Sequence, residues 1–76
     1  MNTLIDTPKR ARHRAGLIEI EMASGELIRF PVSVSPRLMA ASPEQLEQIE
    51  VSPFGLHWPL LDEDLSIRGI RAAIER

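Results

Sequence analysis

The chain has no cysteine and no tyrosine, one tryptophan, two phenylalanines and two histidines among 76 residues. Without cysteine there is no disulfide staple, and a reducing compartment is the natural setting. Sulfur ligands for a metal are absent and nitrogen ligands scarce, so a transition-metal centre has little to be built from. No apolar run approaches the roughly 20 residues of a membrane span. Lys9, Arg10, Arg12 and Arg14 are not followed by the apolar stretch of a signal peptide. These absences together predict a cytoplasmic protein with no membrane contact and no cofactor. A phosphate loop, a metal-ligand pattern and a catalytic constellation are also missing from the sequence.

The composition is that of one small folded domain: 43% hydrophobic and 26% charged. At this length, burial only narrowly exceeds conformational entropy. Self-association or a protein partner is the remaining source of buried surface. The net charge of −2 conceals an asymmetry. Residues 1–14 carry Lys9, Arg10, Arg12 and Arg14 against Asp6, whereas the remainder carries five arginines against ten acids. Residues 1–16 therefore read as a basic, flexible arm on an acidic body, residues 17–76, with a nucleic-acid tail or a strip folded back on its own domain as the alternatives. The arm has no aromatic side chain on which a base could stack.

Periodicity organises the body. Ile18, Ile20 and Met22 alternate with Glu19 and Glu21, and Ala23-Ser24-Gly25-Glu26 makes a turn. Leu27 to Val34 continues the alternation, and Pro31, which has no N–H, predicts an edge strand or an outward-turned gap in the ladder. Ser35-Pro36 and Ser42-Pro43-Glu44-Gln45 read as caps of two short helices, the second a capping box. A second hairpin follows, with Ile49 and Val51 facing Leu56 and Trp58 across Ser52-Pro53-Phe54-Gly55, a type I turn. Ser66 caps a final helix, Ile67 to Glu75, whose buried stripe contains Ile67, Ile70 and Ile74. The expected fold is α+β, a small antiparallel four-stranded sheet of two hairpins with one face covered by short helices.

From about Ile18 to Ile70 these elements carry the pattern Pro36-Arg37-Leu38, Pro43-Glu44-Gln45-Leu46, then Gly55-Leu56-His57-Trp58-Pro59 and Asp62-Glu63-Asp64-Leu65-Ser66. In this order, with Phe30 and Ala41, the chain resembles the bacterial domain of unknown function family 2442. The resemblance implies a small α+β fold with no assigned enzyme activity. Some members of that family are fused to helix-turn-helix domains, and many are encoded beside another small protein in toxin–antitoxin-like pairs. An antitoxin-like or regulatory partner of a small neighbouring protein is what this implies here. The 76 residues leave no room for an added helix-turn-helix domain.

The candidate residues have structural as well as functional readings. Asp62, Glu63 and Asp64 lie near His57 across a short turn, yet three consecutive acids cannot converge on one cation. Ahead of the Ser66 helix they are expected to stabilise its free N–H groups, by roughly 0.3–1 kcal/mol each. Trp58 is expected in the core by its spacing from Leu56. His57 falls on the polar side with Glu50, and Ser52 and Ser66 lack a nucleophile-elbow context, so no catalytic residue is assigned. Two functions remain. The first is a non-enzymatic protein–protein interaction module, binding itself as a homodimer or another small protein, with His57, Glu50, Arg29, Asp62 and Asp64 as candidate contacts. The second is nucleic-acid binding through Lys9, Arg10, Arg12 and Arg14. The acidic body, which repels a phosphate backbone, favours the first.

Overall fold

The structure is a computed structural model and describes residues 6–75. Strands β1 (Pro8–Arg14), β2 (Leu17–Met22) and β3 (Leu27–Pro31) form one antiparallel sheet with β2 in the middle. Ala15 and Gly16 join β1 to β2 with φ of 51° and 80°. Two positive φ values are what a type I′ turn requires, and its twist matches that of the strands it joins. Glycine adopts this conformation freely; Ala15 does so at a cost of about 1–2 kcal/mol. The Gly16 N–H donates to His13 Nε2 at 3.1 Å, which helps to hold the turn. At the β2–β3 end, Gly25 has φ 97° and its N–H donates to the Met22 carbonyl at 2.9 Å.

Strands β4 (Glu50–Ser52), β5 (Gly55–Trp58) and β6 (Glu63–Ser66) form a second antiparallel sheet around β5. Between the two sheets the chain makes a single 3₁₀ turn at Val32–Val34. Helices α1 (Pro36–Met39) and α2 (Pro43–Glu47) follow it. Ser42 Oγ accepts the Gln45 N–H at 3.2 Å while Gln45 Oε1 accepts the Ser42 N–H at 3.0 Å, the expected capping box. Helix α3 (Ile67–Ile74) closes the chain under the cap of Ser66, whose Oγ accepts the Gly69 N–H at 2.9 Å.

Both sheets face one core. Ile18, Ile20 and Met22 from β2 meet Ile28 and Phe30 from β3, Leu56 and Trp58 from β5, and Leu38, Leu46 and Ile70 from the three helices. Trp58 is 0% exposed, and its indole N–H donates to the Leu46 carbonyl at 3.1 Å. Burying such a ring contributes roughly 5 kcal/mol at about 25 cal/mol per Å².

The single four-stranded sheet is therefore corrected to two separate three-stranded sheets. Each expected hairpin recruits a third strand from a segment expected to be something else. Pro8–Arg14, read as part of a flexible arm, forms β1 along the whole of β2. Residues 1–5 of that arm lie outside the described residues. Glu63–Ser66, read as the approach to a helix, forms β6 along β5. β1 lies against β4 and α2 without joining β4 in a ladder, so the two sheets stay distinct. Strand β3 is shorter than expected: Pro31 ends it, and Val32 and Val34 enter the 3₁₀ turn.

Candidate functional site

Three cross-strand rows make up the outer face of the first sheet. They are Arg10–Glu21–Leu27, Arg12–Glu19–Arg29 and Arg14–Leu17–Pro31. In the middle row Glu19 Oε1 accepts from Arg12 Nε at 2.9 Å and Glu19 Oε2 from Arg29 Nε at 2.6 Å. Hydrogen bonds from Arg29 and then Arg12 hold the Glu19 carboxyl below its ordinary value. Arg10 Nε lies 2.9 Å from Glu21 Oε1. Arg14 has no acid in its row. Four arginines against two glutamates give the face a surplus of positive charge.

This geometry redistributes the candidate nucleic-acid residues. Arg10, Arg12 and Arg14 share the outer face, Lys9 occupies the register irregularity between Pro8 and Arg10, and His13 alternates to the inner side opposite Ile18. His13 Nδ1 is buried without a hydrogen-bond partner among the described residues. A phosphate approaching Arg10 or Arg12 has to compete with a carboxylate already in place.

The free edge of this sheet is β3. Met22 N–H donates to the Glu26 carbonyl at 2.9 Å and Val32 N–H to the Gly16 carbonyl at 3.0 Å. Bonded and non-bonded pairs alternate along an antiparallel ladder. Counting from either bond, Ile28 and Phe30 belong to the bonded set with Ile20 and Ile18. Leu27, Arg29 and Pro31 belong to the other set and turn their main-chain groups away from β2. The missing N–H of Pro31 therefore costs the ladder nothing, as the sequence anticipates. Among the described residues no loop or cap bonds to the main chain of Leu27 or Arg29.

On the second sheet Glu50, His57 and Asp64 form one row across β4, β5 and β6. His57 Nδ1 lies 2.8 Å from Asp64 Oδ1. Of the candidate contacts, these three come together; Arg29 belongs to the other sheet, and Asp62 to the turn before β6. The expected role of the acidic cluster is corrected, since Glu63 and Asp64 lie in strand β6 with their carboxylates on Ser35 and His57. Asp62, at φ 50°, offers its carbonyl to Arg37 Nη1 at 3.2 Å, beside the Leu61 carbonyl at 3.0 Å. Glu63 Oε2 accepts the Ser35 hydroxyl at 2.6 Å, and Ser35 Oγ in turn accepts the Leu38 N–H at 3.3 Å. The Ser35-Pro36-Arg37 cap and the Leu61-Asp62-Glu63 turn thus lock together. Sequence reasoning missed this pairing, and it missed the bidentate contact of Arg71 with Glu26 at 3.1 and 2.8 Å. No local pattern announces either one. The alternation of Arg10, Arg12 and Arg14 with Ala11 and His13 was the available signal for β1.

Among the described residues no group of three or more His, Cys, Asp or Glu side chains is arranged to hold a metal ion. No helix among them is long and apolar enough to cross a membrane.

No curated protein matches the chain. Two solved structures share its fold. One is a crystal structure of a protein of unknown function from Rhodospirillum rubrum, 30% identical with a TM-score of 0.83, covering 91% of this chain and 88% of that one. The other is a solution structure of an uncharacterized protein from Chromobacterium violaceum, 28% identical with a TM-score of 0.79, covering 88% of this chain and 65% of that one. The two sheets, the caps and the locked turn lie within residues 8–76, over which the chain matches the family described as protein of unknown function (DUF2442), and it belongs to that family.

Proposed function

We propose that this chain is a non-enzymatic protein-interaction module that accepts an extended segment of a partner along the free edge of β3. The carrying observation is the geometry of that edge: the N–H groups of Leu27 and Arg29 and the carbonyls of Leu27, Arg29 and Pro31 face outward. Ile28 and Phe30, both buried, hold the strand flat against the core from beneath. A pre-ordered edge of this kind binds by strand addition, with main-chain bonds giving affinity and side chains giving selectivity. The opposite edge, β1, is covered by β4 and α2.

The absence of an enzymatic role is part of this reading. His57 and Asp64 are paired, but the Ser52 hydroxyl is engaged with the main chain of Phe54 and Gly55, and Ser66 caps α3. Neither hydroxyl is hydrogen-bonded to His57 among the described residues, so no activated nucleophile stands beside the imidazole.

The test is recovery of a stoichiometric protein partner from the native host by the tagged chain. Synthetic protein carrying N-methyl groups at Leu27 and Arg29 removes only the two outward donors, so it should melt like the unmodified chain and lose that partner. Undiminished retention would place the interaction elsewhere. Retention of nucleic acid instead, with a log–log salt slope near −0.9 per phosphate contact, would support the reading based on Lys9, Arg10, Arg12 and Arg14.

A further inference from the structure

We infer that the segment docking on β3 carries a carboxylate opposite Arg29; this rests on the strand-addition reading above. A strand laid beside β3 continues both faces of the sheet, because directly opposed residues point to the same side. On the outer face the middle row reads Arg12, Glu19, Arg29, that is positive, negative, positive, and it stops at the edge. The Glu19 carboxylate is shared between the two guanidiniums. Arg29 is bonded to it only through Nε, and its side chain is 58% exposed at the edge. A guanidinium has five N–H donors in a planar fork. The remaining donors of Arg29 make no hydrogen bond among the described residues, and a carboxylate on an added strand would extend the alternation of charge by one member. On the inner face Ile28 and Phe30 are already covered by the core, so the selectivity of the added strand rests on the outer row at Arg29. Pro31 ends the usable edge, so the contact spans only a few residues.

The same geometry argues against a second copy as the occupant. Residues 27–31 read Leu-Ile-Arg-Phe-Pro and contain no carboxylate. Two-fold pairing of β3 with itself would bring the surplus-positive faces of both copies into one continuous sheet and leave Arg29 without an acid across the new ladder.

The experiment is a titration of the isotope-labelled full chain, followed by amide NMR. The probe is a synthetic pentapeptide Thr-Val-Glu-Val-Thr, N-acetylated and C-amidated, at up to millimolar concentration. Its counterparts carry Lys or Gln at the centre. The expected result is slowed hydrogen exchange at the Leu27 and Arg29 amides, with the Glu probe at least about tenfold tighter than the Lys probe. Arg29→Glu should reverse that order, and Arg29→Gln should abolish it while leaving the fold's spectrum intact. Equal binding of the Glu and Lys probes would overturn the acidic preference and leave strand addition standing. Failure of every probe to protect the two amides would overturn the edge reading itself. Concentration-dependent protection of the same amides without any probe would identify a second copy as the occupant and overturn the inference.

Discussion

Trp58 is the residue on which the interior is organised. It is the largest of the fully buried side chains and ties β5 to α2 through its bond to the Leu46 carbonyl. Trp58→Ala should cost about 3–5 kcal/mol, enough to unfold most of a domain of this size. Trp58→Phe removes the donor but keeps much of the ring, and leaves a buried carbonyl unpaired at about 1–3 kcal/mol. Chemical denaturation of the two variants separates volume from hydrogen bonding. Gly55 is the other sensitive position. A Cβ there would lie 2.2 Å from the Leu65 carbonyl oxygen and 2.8 Å from Ser66 Cα, both main-chain atoms of β6. Gly55→Ala should therefore part β5 from β6 and destabilise by about 1–3 kcal/mol. Amide exchange should rise first in Leu65 and Ile67, which belong to the pairs bonded to β5 and to Phe54 at its start. Unchanged exchange there would show that the two strands tolerate the separation.

At the scale of elements, β1 is held by its ladder and by Arg–Glu pairs more than by its own apolar side chains, since Pro8 is its one buried residue and Ala11 and His13 are only half-buried. Removing residues through Arg14 should lower the melting temperature sharply, because it strips β2 of half its hydrogen bonds. A truncated chain melting near the full-length value would mean that β1 is dispensable to the fold. The cross-strand row also sets a pH dependence. The folded Glu19 carboxyl lies below its ordinary value of 4.5 because Arg29 and Arg12 bond its ionised form. A lowered folded value contributes stability above the ordinary value and loses it as pH falls through the folded one. The stability difference between wild type and Glu19→Gln should thus be full near neutrality and shrink at acid pH. Glu26, held low by Arg71, should behave in the same direction and weaken the tie between α3 and the β2–β3 turn. Both carboxylates are at the surface, so added salt should reduce the two effects.

The whole molecule is two small sheets closing on one core, neither of which has an apolar interior of its own. Unfolding should be a single cooperative transition. Trp58 fluorescence, which reports on the second sheet, should coincide with far-ultraviolet circular dichroism, which reports on both. Separate transitions would show that the β1–β2–β3 sheet survives alone. A core of this size leaves little reserve, and an unpaired edge on β3 gives a partner a route to add both buried surface and hydrogen bonds.

Local chemistry was legible in the amino-acid order. Ser35, Ser42 and Ser66 cap the helices they were expected to cap, Gly25 makes its turn, and Trp58 and Leu56 face inward. Pro31 marks the edge. These outcomes depend on residues a few positions apart, whose backbone preferences and polar–apolar alternation are written in the chain itself. The family pattern was legible for the same reason, because its Pro36-Arg37-Leu38 and Trp58-Pro59 segments are contiguous. The partition into two sheets was decided only in three dimensions. β1 has weak inward side chains and joins through an Ala15-Gly16 turn that lacks the usual asparagine or aspartate before the glycine. β6 is an acidic segment of low strand propensity that forms because β5 has a free ladder and Ser35 and Arg37 wait to bind the turn ahead of it. In both cases the energy of the strand resides in its neighbour, and a neighbour's unpaired main-chain groups leave no trace in the sequence of the segment that satisfies them.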